Sequence, residues 1–332
     1  MTRKKAQKPA VKKKVPPIPG LEGATRQLEE LVAAVGGMAT KDDMDALLKS
    51  LQGPWAEDGL TDEEADKRYQ AQELAFDAQE ARTEAKALKL AKRALRLDPD
   101  CVDALVVVAD IECDSPRKLI EALQKAAAAG ERSLGAKFIR ENTGHFWGLL
   151  DTRPYMRALE HLAGLLSAEG LNLDAIHIYE RMLVLNPNDN QGVRDPLLGV
   201  YLSIDDLAGA ARLLKKFKVD VLANFAWGRV LERVLAGDFV GAKTALEKAR
   251  KANPFVELYL TAQRPIAEIE PDMYSIGSEE EAVLCMNWVG RAWAMHKEAV
   301  FWLLDQQSAN RGPAIPSKAA LKRVPVAGKK VQ

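Results

Sequence analysis

Three stretches of this chain share one spacing: ALKLAKRALRLDP at 87–99, AIHIYERMLVLNP at 175–187 and AKTALEKARKANP at 242–254. In each, small or apolar residues and a proline step by four, three and five positions: Ala87, Ala91, Ala94, Pro99; Ala175, Tyr179, Met182, Pro187; Ala242, Leu246, Ala249, Pro254. Steps of four and three put side chains on one face of an α-helix. The proline then ends the helix, because it lacks the backbone donor that the next turn needs. Gly170 and Gly237 stand five residues before the first alanine of the second and third sets, where a turn into the helix belongs. Each stretch thus predicts the second helix of a helical hairpin.

The separation of these stretches predicts more hairpins between them. Pro187 and Pro254 are 67 residues apart, close to two periods of a repeat of about 34 residues. Residues 190–217 supply the intervening copy, with Ala208 standing 34 before Ala242 beside an apolar stripe of Leu207, Ala211 and Leu214. A further copy is expected at 101–129 (Ala122, Ala126, Ala129), which leaves extra length at about 135–155. Pro196 falls where the first helix of the fourth hairpin is expected, so that helix either starts late, with Asp195 as cap, or is kinked. The fold class that follows is all-α, an α-solenoid of about five hairpins over 61–305 that closes with a helix pair at 279–305.

Composition agrees with helices. Hydrophobic residues make up 47% of the 332 and aromatics only 6%, with alanine and leucine dominant. The net charge of zero hides a split. Residues 1–21 carry seven Lys or Arg and no acid, residues 306–332 carry six and no acid, so 34 basic residues face 47 acidic ones between 22 and 305. The two basic tails are expected to be disordered, and 22–60 to be a short helical arm and linker. No apolar run long enough for a secretory signal or a membrane span is present. Cys101, Cys113 and Cys285 are odd in number and at no metal spacing, which argues against a disulfide scaffold and fits a cytoplasmic protein.

Several stretches resemble a bacterial tetratricopeptide-repeat family distantly similar to the suppressor-of-tumorigenicity 7 group. They are Asp98-Pro99-Asp100-Cys101-Val102-Asp103-Ala104, Gly144-His145-Phe146-Trp147-Gly148, Thr152-Arg153-Pro154-Tyr155-Met156-Arg157-Ala158, Leu185-Asn186-Pro187-Asn188-Asp189-Asn190-Gln191-Gly192 and Gly277-Ser278-Glu279-Glu280-Glu281-Ala282. The resemblance implies the solenoid and a binding role, and it implies no reaction.

Solenoids present a concave surface made mostly from the first helix of each hairpin. Counted from the quartets, that surface is expected to carry Tyr69, Gln72, Phe76, Asp103, Asp110, Arg157, Glu160, Gln191, Arg194, Asn224 and Trp227. Arginine and aromatic residues in such a set suit recognition of a peptide or partner helix. The dense polar run at 141–157, with His145, Asp151, Arg153 and Tyr155, is either a buried brace where the solenoid is interrupted or a reactive pocket built on His145; the brace is favoured. His161, His177 and His296 stand singly on helices, so no metal and no cofactor is expected. The function expected is a non-enzymatic protein-interaction scaffold. The alternatives are an adaptor that contacts nucleic acid through its basic tails and, least favoured, an enzyme using the 141–157 cluster.

Overall fold

The computed structural model describes residues 62–265, 271 and 273–310. Among these residues every regular element is helical. The expected arm, linker and N-terminal tail lie outside them, as does the C-terminal tail, except that the last helix continues to Asn310.

Five hairpins follow one another: α1 (Asp62–Gln79) with α2 (Glu84–Leu97), α3 (Val102–Glu112) with α4 (Pro116–Leu134), α6 (Arg153–Ala168) with α7 (Asn172–Leu185), α8 (Arg194–Ser203) with α9 (Leu207–Lys216), and α10 (Ala223–Leu235) with α11 (Phe239–Ala252). The extra length falls where the spacing places it, as α5 (Ala136–Asn142) and two short 3-10 turns at Phe146–Gly148 and Leu150–Thr152. After the short α12 (Val256–Leu260), a closing pair runs through α13 (Glu279–Cys285), a π-helical turn at Met286–Gly290, α14 (Arg291–Met295) and α15 (Lys297–Asn310).

The quartets behave as their spacing requires. All nine of their non-proline residues are buried, and the three prolines are exposed just beyond the helix ends. Asp98, Asn186 and Asn253 cap those ends by donating their backbone N–H to Ala94, Met182 and Ala249, the third member of each quartet. Gly170 and Gly237 turn the chain between hairpin helices in the left-handed region, φ +78° and +73°. There the next residue's N–H reaches back five positions, from Leu171 to Leu166 and from Asp238 to Arg233. The fourth hairpin makes the same turn with Asp205 at φ +60°.

That fourth copy is shifted in register. Ala208 and Ala211 are exposed, and Ala210, fully buried, takes the place equivalent to Ala242. Both alanines stand four residues after an aspartate whose carboxylate accepts a backbone N–H from a glycine, Asp206 from Gly209 and Asp238 from Gly241. The true spacing of the two copies is therefore 242 minus 210, or 32 residues. Pro196 is accommodated without a kink. The helix begins at Arg194, so the proline sits in the first turn, where no intrahelical donor is needed. Asp189, not Asp195, caps this start by accepting the N–H groups of Val193 and Arg194.

Successive first helices touch (α1 with α3, α3 with α6, α8 with α10), whereas successive second helices hardly meet. The row therefore curves with its first helices on the inner side. Between α6 and α8 this contact lapses. The closing helices lie on the inner side of the last two hairpins: the π turn and α14 pack on α8, and α13 and α15 pack on α10. Trp293 of α14 and Trp227 of α10 meet edge to face there, centroids 6.4 Å apart, both fully buried. Burying a side chain of this size contributes roughly 4–6 kcal/mol before entropy is counted. Glu281 ties the closing pair down, accepting the backbone N–H groups of Ala223 (2.9 Å) and Gly277 (2.6 Å) and the amide of Asn253 (3.0 Å).

Candidate functional site

The inner face divides into a covered half and an open half. Over the fourth and fifth hairpins it is filled by the closing helices, and two residues expected in a groove are therefore core residues. Trp227 is 0% exposed and donates its indole N–H to the Asn253 carbonyl at 3.2 Å. Asn224 is 1% exposed and donates to the Asp195 carboxylate of α8 at 2.9 Å. Polarity and aromaticity suggest binding residues, but the closing helices expected at 279–305 fold back over the inner face and these two lie in the core.

Over the first three hairpins the described closing helices reach only the end of α6, where Arg291 donates to the Ser167 carbonyl. Here the structure brings most of the remaining expected residues together as rungs of a polar ladder, each rung joining one first helix to the next. Gln72 of α1 donates to Asp103 of α3 at 2.7 Å. Arg157 of α6 grips the same carboxylate with two N–H groups, at 3.1 and 2.6 Å. Asp103 is 2% exposed, so both of its oxygens are committed inside the seam. One rung along, His161 of α6 stands 3.7 Å from Asp110 of α3. Burial pushes the Asp110 carboxyl up, and the nearby imidazole works against that. Gln191, just before α8, donates to Glu160 of α6 at 2.6 Å, and burial raises that carboxyl as well.

Arg194 belongs to a separate knot. It donates to Asp220 at 2.7 Å and Asp189 at 2.9 Å and lies over the rings of Phe217 and Phe225. Two acidic partners hold its guanidinium charged well beyond the usual range despite burial. Asp189 and Asp220 were not legible as partners, because each comes from a loop. Tyr69, on α1, is 54% exposed.

The 141–157 run is packed as a brace. Phe146 is fully buried, Gly144 donates its N–H to the Leu185 carbonyl at the end of α7, and Thr152 donates its hydroxyl to the Phe146 and Leu149 carbonyls. Arg153 donates to the Trp147 carbonyl and lies 4.9 Å from the centre of that ring. Tyr155 donates to Glu131 of α4 and accepts from Arg181 of α7, which ties the second hairpin to the third. His145 is exposed on the outside of this knot. Among the described residues no group of His, Cys, Asp and Glu could hold a metal ion. Burial pushes the Cys101 thiol up to about 12 and the Cys285 thiol well above its ordinary value, which suits small packed side chains rather than nucleophiles.

Asp151 gives a pH prediction. Burial alone lifts its carboxyl from 3.8 to about 6. The folded chain therefore binds this proton more readily than the unfolded chain, and folding carries a penalty above pH 6 that vanishes as pH falls through about 4. Asp151→Asn is expected to be more stable than the parent by about 1–2 kcal/mol at pH 7.5 and equal to it near pH 4. Urea unfolding at both pH values tests this; the same difference at both would remove burial of the charge as the cause.

No protein-family model matches the sequence, and no curated protein matches it. The fold is similar to that of a tetratricopeptide repeat protein from Parabacteroides merdae ATCC 43184. That protein is 14% identical, with a TM-score of 0.40 over 74% of this chain and 87% of that one. At this identity and score the likeness supplies no argument about binding, and the repeat architecture rests on this chain's own hairpins. The expected similarity to the suppressor-of-tumorigenicity 7 group finds no support in these comparisons. No described helix is long and apolar enough to cross a membrane.

Proposed function

We propose that this chain is a non-enzymatic interaction scaffold that receives an extended peptide or a partner helix on the inner face of its first three hairpins. One observation carries the proposal: the same face, one hairpin further on, already receives a helix, since the chain's own α13 and α14 are seated on α8 and α10. A surface that accepts a helix over half its length offers the other half the same geometry, with Tyr69, Asp110 and His161 accessible and the Asp103–Arg157 rung as a rigid floor.

The test is affinity capture by the full chain, comparing the parent with Tyr69→Ala/Asp110→Arg on the inner face and Lys243→Ala on the outer second helix α11. Partners retained by the parent and Lys243→Ala but at least tenfold depleted with the inner-face variant, at an unchanged melting temperature, support the groove. Retention indifferent to the inner-face variant ends this proposal. Retention of nucleic acid that is lost at raised salt and on removal of 1–21 and 311–332 would favour the adaptor reading instead.

A further inference from the structure

Where α6 and α8 part, a cleft of about 270 Å³ opens under the π-helical turn. Its walls come from Gly164, Gly199, Val200 and Trp288, and Arg291 stands at its mouth. The glycines by themselves would mean only close packing, Gly199 against the Trp288 backbone and Gly164 near Tyr179. Three other features point to a ligand.

Tyr179 is 3% exposed and lines the cleft, its hydroxyl 3.9 Å from where a side chain on Gly164 would begin. That hydroxyl has no hydrogen-bond partner among the described residues and is not sealed off among the buried unpaired polar atoms, so it opens into the cleft. The roof is a π-helical turn, Met286–Gly290, a rare element that is frequent at functional sites. Arg291, immediately after it, donates one N–H to the Ser167 carbonyl at 3.0 Å across the cleft and has no carboxylate partner among the described residues. The cleft therefore has an unneutralised cation beside it, walls that mix apolar side chains with the amides of Asn172 and Asn287, and an unused hydroxyl. Glu160 is close enough to act electrostatically on the Tyr179 hydroxyl, so a ligand's negative end belongs at Arg291 and a neutral acceptor at Tyr179.

We propose that this cleft binds a small organic carboxylate of about ten heavy atoms, its carboxylate at Arg291 and a carbonyl, ether or hydroxyl oxygen at Tyr179. The site lies beyond the groove, between the end of α6 and α8 beneath the π turn, and takes a different class of ligand.

The probe is 4-hydroxyphenylacetate, compared with phenylacetate, which lacks the distal oxygen, and 4-hydroxyphenylacetamide, which lacks the charge. Binding to the full chain is read by calorimetry and ligand-observed NMR. The parent is expected to bind the probe about tenfold more tightly than the amide and severalfold more tightly than phenylacetate. Arg291→Gln should abolish the preference over the amide, and Tyr179→Phe the preference over phenylacetate. Neither variant endangers the fold, since Arg291 is exposed and the Tyr179 hydroxyl holds nothing. Absence of binding by all three compounds at 10 mM, or binding that neither variant changes, overturns the proposal.

Discussion

Replacing Gly199 with alanine is expected to loosen the closing helices and lower stability by about 3 kcal/mol. A Cβ on Gly199 would sit 2.2 Å from the Trp288 carbonyl oxygen and 2.9 Å from its carbon. Both are backbone atoms of the π turn, so no rotamer change relieves the clash, and α14 must lift away from α8. Lifting it uncovers Trp293, which packs against Trp227, and strains the Glu281 contacts to Ala223 and Asn253. In a domain of this size the loss corresponds to a fall in melting temperature of about 6–12 °C. Limited proteolysis should release the chain after residue 265 sooner than in the parent. Gly148→Ala is the control, because nothing lies within 4 Å of its added carbon and its φ is not positive. If both alanine variants melt with the parent, the closing helices are not seated as described.

The repeat was legible in the sequence because close packing of helix on helix demands small residues at fixed places. Ala91, Ala94, Ala175, Ala242 and Ala249 are all fully buried, and the prolines after them stop each helix at the same point. The register of the fourth copy was not legible from a 34-residue count, because Asp205 turns that hairpin where two others use glycine. The better signal was local: Asp206-Leu207-Ala208-Gly209-Ala210 and Asp238-Phe239-Val240-Gly241-Ala242 share a cap, a glycine and an alanine.

The site was legible in part. Spacing put Gln72, Asp103, Arg157, Glu160 and Gln191 on the inner face. It could not say that these residues spend their hydrogen bonds on each other rather than on a partner. Nor could hairpin periodicity reveal that the closing helices fold back over α8 and α10. That depends on Gly199 and Gly228, which look like ordinary weak points in a helix until the backbone of Trp288 and the side chains of Leu198 and Val289 appear against them.

Because the ladder is internal, its rungs should respond unequally to mutation, and the Asp103–Arg157 rung most of all. The Asp103 side chain is 2% exposed and that of Arg157 36%. Arg157→Ala leaves a buried carboxylate that still accepts from Gln72 but has lost its countercharge, and is expected to cost about 3 kcal/mol. Asp103→Asn leaves a guanidinium that can turn to water and an amide oxygen that still accepts from Gln72, so about 1 kcal/mol is expected. Asp103→Leu with Arg157→Met removes both charges, keeps the volume and should return stability to within about 1 kcal/mol of the parent. Guanidinium unfolding of the four proteins measures these differences. An Asp103→Asn loss as large as that of Arg157→Ala would show that the carboxylate is not the buried partner. A double variant as unstable as Arg157→Ala would show that the rung contributes attraction and not merely neutrality. The expected order places Asp103 as the cost that Arg157 offsets, so the rung is a neutral tie between α3 and α6 whose worth lies in leaving no buried charge unpaired.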